Sequence, residues 1–193
     1  VHGIICRMNS DFYKNYYDEY FRLIYSDDLD ETFDDFKKLA ESVKSNKHKL
    51  IFAGNGASAS ISAHAAVDFT KQAQVRSITF NEANIITCFS NDYGYDKWIA
   101  TALDFYANDG DVLVLISVSG ESPSVIEAAK RAKEIGLKVV TFSGRSPNNS
   151  LRALGDVNFW VDSNAYNIVE CIHMMWITTV IDSVIGKSEY EVS

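Results

Sequence analysis

The chain has 193 residues, 47% of them hydrophobic and 23% charged, with a formal net charge of −8, which fits one domain with a well-filled core and an ordinary water-facing surface. The acidity, with no basic cluster to offset it, excludes a nucleic-acid-binding surface, and no apolar run reaches the roughly 18 residues that span a bilayer. Cys6, Cys88 and Cys171 are odd in number, far apart and without a CxxC pair, which speaks against a disulfide framework and for a reducing, cytoplasmic compartment.

Residues 1–7 lack the apolar stretch of a signal peptide, and Met8 reads as a native start. Residues 10–25 are dense in aromatics at 3–4 spacing (Phe12, Tyr13, Tyr16, Tyr17, Tyr20 and Phe21). They predict a helix whose apolar face is broad enough to pack against another subunit as well as its own core. A second amphipathic helix fits residues 30–44, with Phe33, Phe36, Leu39, Ala40 and Val43. From Lys49 onward strand and helix patterns alternate. Strands are expected at 50–53, 75–80, 111–117, 138–142 and 157–161, and helices at 57–71, 82–89, 96–107, 124–135 and 167–185. Residues 91–96 read as a polar turn. The expected architecture is α/β: a doubly wound parallel sheet of about five strands flanked by helices on both faces, a flavodoxin-like three-layer arrangement. Two N-terminal helices precede it. No linker or repeat interrupts the chain, so residues 1–193 read as a single domain.

Ligands in such folds sit beyond the C-terminal ends of the strands, and two glycine-bearing turns fall there. The first is Ser117-Val118-Ser119-Gly120-Glu121-Ser122-Pro123-Ser124, between an aliphatic strand and a helix opened by Pro123. First-turn N–H groups lack intrahelical partners and the dipole end is positive, so hydroxyls gathered there make an anion site. A Ser-rich helix cap is the plain alternative, but four seryl groups exceed what one cap needs. The absence of a loop lysine disfavours a Walker-type nucleotide loop and favours one terminal phosphate on a small molecule.

The second turn is Gly54-Asn55-Gly56-Ala57-Ser58, which also opens a helix. Its glycines permit close backbone approach to a ligand. Its continuation does not match GxGxxG, so no nucleotide cofactor is expected. His64 and Asp68 lie at i and i+4 on that helix, and Glu170 and His173 at i and i+3 on the last one. Each pair offers a carboxylate and an imidazole for acid–base chemistry or for a metal. A buried, hydrogen-bonded histidine is the plain alternative for either. The Asn91-Asp92 pair has the chemistry to bond sugar hydroxyls, or to cap a helix.

Together, Gly54-Asn55-Gly56-Ala57-Ser58-Ala59, Ser90-Asn91-Asp92-Tyr93-Gly94-Tyr95, Gly110-Asp111-Val112-Leu113 and the Ser117–Ser122 loop resemble the sugar isomerase (SIS) domain family, in its phosphoheptose isomerase branch. The resemblance runs from about Asp11 to Ile185. It implies conversion of sedoheptulose 7-phosphate to D-glycero-D-manno-heptose 7-phosphate for bacterial surface polysaccharide. It also implies a homotetramer with the N-terminal helices at the interface. Phosphate would be held by Ser58, Ser117, Ser119 and Ser122 beside Gly56, while Asn55 and Asp92 would touch the sugar.

The branch carries a His and a Glu four apart after the first loop, and a Gln and a later His on the last helix, four positions able to hold zinc. Here His64 keeps the first. Asp68 replaces the Glu, Glu170 replaces the Gln and Thr178 replaces the later His. The resemblance thus implies His64, Asp68, Glu170 and His173 as catalytic candidates and His64, Asp68 and Glu170 as possible zinc ligands. A shortened Asp68 and a Thr178 unable to shuttle protons leave a non-catalytic sugar-phosphate-binding or adaptor protein as the alternative.

Overall fold

In the computed structural model, residues 2–189 are described, with side chains from Asp11 onward. Val1, the side chains of Cys6 and Met8, and residues 190–193 lie outside the described residues. Two helices come first, α1 (His2–Leu23) and α2 (Leu29–Ser45). The alternating part follows: β1 (Leu50–Gly54), α3 (Ala57–Lys71), β2 (Ser77–Thr79), α4 (Ala83–Tyr93), α5 (Trp98–Tyr106), β3 (Val112–Ser117), α6 (Pro123–Glu134), β4 (Lys138–Gly144), β5 (Val157–Val161) and α7 (Tyr166–Ile185). A single 3₁₀ turn, Arg152–Leu154, precedes β5.

The five strands pair in parallel in the order β2-β1-β3-β4-β5. The aliphatic runs explain the centre of this sheet. Every residue of β1 and β3 is buried, as strands covered on both faces must be. One face carries α2, α3 and α7, packed through Phe36, Phe52, Phe69, Phe142, Phe159 and Trp176. Phe142 and Phe159 stack with centroids 4.4 Å apart. The other face carries α5 and α6, packed through Trp98, Leu103, Leu113, Leu115 and Val125. Each fully buried ring or branched side chain contributes roughly 1.5–3 kcal/mol relative to exposure, so both layers hold the sheet's C-terminal edge firmly. On α1, Tyr16, Tyr20 and Leu23 pack against the first layer, while Phe12, Tyr13, Tyr17 and Phe21 stay 61%, 60%, 61% and 79% exposed.

The structure corrects several expectations. The segment read as a polar turn from residue 91 is the last turn of α4, which runs to Tyr93 and is stopped by Gly94 at φ 88°. Ser, Asn and Asp at the end of a helix mimic turn composition when helical periodicity is weak, and α4 buries no residue completely. The next helix begins at Trp98 rather than at Asp96. Strand β2 is shorter than expected, and β4 runs on to Gly144. Helix α7 is, contrary to the sequence reading, long and apolar enough to cross a membrane by length and composition. Here it lies on the sheet, burying Ile168, Val169, Ile172, Trp176, Ile177 and Val180.

Candidate functional site

From β1 the chain winds outward to β2, and from β3 outward to β4 and β5. The crevice beyond the ends of β1 and β3 is therefore the topological switch point, where ligands bind in open parallel sheets. A cavity of ≈ 270 Å³ opens there, lined by the starts of α3 and α6, the end of β3, and Tyr166 and Glu170 of α7. That volume lies near the lower end of the roughly 300–1,000 Å³ typical of ligand pockets.

Close packing brings the two helix starts together. Gly54 lies so near α3 and β3 that a Cβ there would sit 2.7 Å from Ser58 Cβ and 2.8 Å from Ile116 O. The Asn81 side chain pins the same glycine, accepting from Gly54 N at 3.1 Å and donating to Gly54 O at 2.7 Å. Gly56 then turns into α3 with φ +60°, a conformation that favours glycine. Across the cavity, Ser117 Oγ and Ser122 Oγ are 3.3 Å apart, and Ser119 Oγ accepts from Glu121 N at 3.1 Å. Neither Gly56 at the start of α3 nor Ser122 at the start of α6 carries a side-chain cap hydrogen bond. Both positive dipole ends thus open toward one cavity, with Ser58, Ser117, Ser119 and Ser122 in its wall.

Among the described residues, no lysine, arginine or histidine lines this cavity, and Glu170 is its one carboxylate. The arrangement suits an anion held by amides and hydroxyls, with a single acid–base carboxylate in reach. Asn55 is also in the wall. Its Nδ2 donates to Ser124 Oγ at 3.0 Å, and its Oδ1 accepts from Tyr95 Oη at 3.0 Å. Tyr166 was not picked out from the sequence, and neither were the contacts of Asn55 with Ser124 and Tyr95. Tyr95 reaches Asn55 across a separation of 40 residues, for which local spacing gives no signal.

Other candidates lie elsewhere. Asp92 stands exposed on the last turn of α4, bonded by Asn91 Nδ2 at 2.8 Å, and does not line the cavity. His173, expected as a catalytic residue, is fully buried between Phe142 and Trp176. Its Nε2 lies 3.0 Å from Ser143 O, and Nδ1 has no partner among the described residues. Burial pushes the imidazole down to about 4, against a smaller upward pull from the Ser143 carbonyl. It is a neutral core histidine. The Thr178 hydroxyl is turned back onto its own helix, donating to Met174 O at 3.1 Å and to Met175 O at 2.9 Å.

His64 and Asp68 form a pair on α3, with Nε2 and Oδ2 3.0 Å apart, and neither lines the cavity. Burial and the Asp68 carboxylate together raise the Asp182 carboxyl on α7 above its ordinary range. Among the described residues, no three His, Cys, Asp or Glu side chains gather closely enough to hold a metal ion. The expected zinc set, His64, Asp68 and Glu170, is therefore not assembled within one protomer. Two of its members spend their facing atoms on each other, and the third belongs to the cavity.

The SIS domain family model matches residues 15–144. The phosphoheptose isomerase of Nitratidesulfovibrio vulgaris is 32% identical, over 78% of this chain and 74% of its own length. The probable phosphoheptose isomerase of Thermoplasma acidophilum is 35% identical, over 71% of this chain and 78% of its own. Among solved structures, the phosphoheptose isomerase of Neisseria gonorrhoeae superposes with a TM-score of 0.79 at 26% identity, covering 94% of this chain and 99% of that one. The chain belongs to the SIS domain family, in its phosphoheptose isomerase branch.

Proposed function

We propose that this chain is an aldose–ketose isomerase acting on sedoheptulose 7-phosphate, whose heptose product enters surface polysaccharide. One observation carries this reading: two uncapped helix starts and four seryl hydroxyls face a single carboxylate, Glu170, across one cavity. The substrate phosphate sits on the Ser117–Ser122 loop and against Gly56 and Ser58. Neutral donors and helix ends hold the dianion, so no lysine is needed. The carbonyl end of the sugar then points toward α7.

Glu170 removes the proton from the carbon next to the carbonyl. The C–H electron pair moves into the C–C bond as the carbonyl π pair moves onto oxygen, and the resulting enediolate is protonated at oxygen. The hydroxyl on the first carbon then releases its proton, and its O–H electron pair forms the new carbonyl. The C=C pair takes the proton from Glu170 at the neighbouring carbon, so that one proton is gained at one oxygen and one lost at the other. Tyr166, beside Glu170 in the lining, donates to the oxygen that gains charge. The His64–Asp68 pair, His173 and Thr178 are given no step, and no step passes through a metal or nucleotide cofactor. The isomerase names of the relatives favour this reading over a non-catalytic binder.

The same reading makes residues 1–193 one SIS domain whose segment 10–45 serves association. A second copy covers the aromatic stripe of Phe12, Tyr13, Tyr17 and Phe21, in a homotetramer. An exposed patch of this kind marks an interaction surface. Cys88 and Cys171 are free thiols, in keeping with a cytoplasmic setting. The test is direct: purified protein is incubated with sedoheptulose 7-phosphate, and the aldose is followed by NMR. Product is expected. None at high enzyme concentration would reject the isomerase reading.

A further inference from the structure

The loop assigned to phosphate is braced from outside the cavity. Within it, Gly120 N donates to Ser117 O at 3.0 Å, and Gly120 takes φ +66°. The segment after β4 then grips it at three points. Leu151 N donates to Gly120 O at 2.9 Å. The Glu121 carboxylate accepts from Ser150 N at 2.8 Å and from Ser150 Oγ at 2.7 Å. A Cβ at Gly120 would overlap the Asn149 side chain, so the two segments are in direct contact there.

Asn149 is itself fixed in place. It is 1% exposed. Its Nδ2 donates to Ser146 O at 2.8 Å and to Ser143 Oγ at 3.1 Å, and its Oδ1 accepts from Arg152 N at 2.9 Å. Ser143 is the β4 residue whose carbonyl meets His173. A continuous set of contacts therefore runs from the core through Asn149 to Gly120. Asn149, Ser150 and Glu121 do not line the cavity, so any effect they have on a ligand passes through the loop.

We infer that Asn149 and the Glu121–Ser150 pair are positioning residues that hold the Ser119–Ser122 loop in its phosphate-binding geometry; this rests on the phosphate reading above. Hydrogen bonds weaken steeply with angle, so a loop free to rock presents its donors to phosphate less well. Ser150 has a second effect. It keeps the Glu121 carboxylate, a negative charge beside an anion site, occupied by two donors and turned away. Released, that carboxylate competes with phosphate for the loop's own donors.

The test uses the full chain and three variants, Ser150→Ala, Ser150→Thr and Asn149→Asp. The readouts are the competitive inhibition constant of inorganic phosphate, KM and kcat for sedoheptulose 7-phosphate, and Tm. Ser150→Ala is expected to weaken phosphate inhibition and raise KM about threefold to tenfold, the scale of one or two hydrogen bonds, with kcat within twofold. Ser150→Thr, which keeps the hydroxyl, restores wild-type values. Asn149→Asp turns an acceptor toward Ser143 Oγ and Ser146 O, and is expected to weaken phosphate inhibition more than Ser150→Ala does. Unchanged phosphate inhibition and KM in folded Ser150→Ala overturns the inference while the phosphate reading stands. So does a fall in Tm and kcat with KM constant. A wild-type protein that neither turns over nor responds to phosphate overturns both.

Discussion

Tyr95 Oη donates to Asn55 Oδ1 at 3.0 Å, and the same amide donates from Nδ2 to Ser124 Oγ at 3.0 Å. One side chain thus ties the segment after α4 to the starts of α3 and α6. Tyr95→Phe removes the donor to Oδ1 and leaves half of the tie. Tyr95 is 53% exposed, so the fold does not depend on its hydroxyl. KM for the sugar phosphate is expected to rise about threefold to tenfold, as for one lost hydrogen bond, with Tm within a degree or two of wild type. Steady-state kinetics and a thermal melt check this. An unchanged KM would mean that Asn55 is placed by Ser124 alone.

Among the described residues, Glu170 is the one carboxylate in the cavity wall. Glu170→Gln keeps the size and removes the base. A positioned general base contributes on the order of 10²–10⁴-fold, so kcat is expected to fall by at least about a hundredfold with the circular dichroism spectrum unchanged. Proton exchange supplies a second readout. In D2O, wild-type enzyme exchanges the hydrogen next to the substrate carbonyl, and the variant does not. Retained exchange would move the base to another carboxylate, with Asp68 the first to examine.

The fold was legible because its signals are local. An unbroken aliphatic run at 112–116 and a β-branched and aromatic run at 139–142, separated by an amphipathic helix, leave little besides a parallel sheet. The serine-rich loop at the cavity was legible for the same reason: strand, serines, glycine and helix start are contiguous. What stayed hidden depends on tertiary contact or on fine rotation. Tyr95 with Asn55 and Asn149 with Gly120 meet across 40 and 29 residues of sequence. Residues at i and i+3 on a helix differ by about 60° in direction. On α7 this suffices to place Glu170 at the cavity and His173 in the core, although both were read as one face. The end of α4 was hidden because its polar last turn imitates a loop.

His64 and Asp68 satisfy each other at 3.0 Å, and no described third ligand joins them. A two-donor site has neither the ligand count nor the closure of a structural zinc centre. Dialysis against EDTA is therefore expected to leave both Tm and isomerase turnover where they were. A fall in either on chelation, reversed by zinc, would show a ligand set completed from outside the protomer.

The pH dependence of stability follows from His173. Its imidazole titrates at about 4 in the folded chain because it is fully buried, against an ordinary value of 6.5. The unfolded chain therefore takes up this proton first as pH falls. The contribution of the neutral ring is whole above about pH 6.5 and is lost progressively down to about pH 4, so acidification favours unfolding. The shift corresponds to roughly 3 kcal/mol at most. Urea unfolding at pH 7.5, 6, 5 and 4.5 is expected to show stability falling through this window. His173→Gln, which keeps a donor for Ser143 O and does not titrate, should be less stable at pH 7.5 yet lose much less between pH 6.5 and 4.5. An equal slope in wild type and variant would place the acid sensitivity in the carboxylates instead.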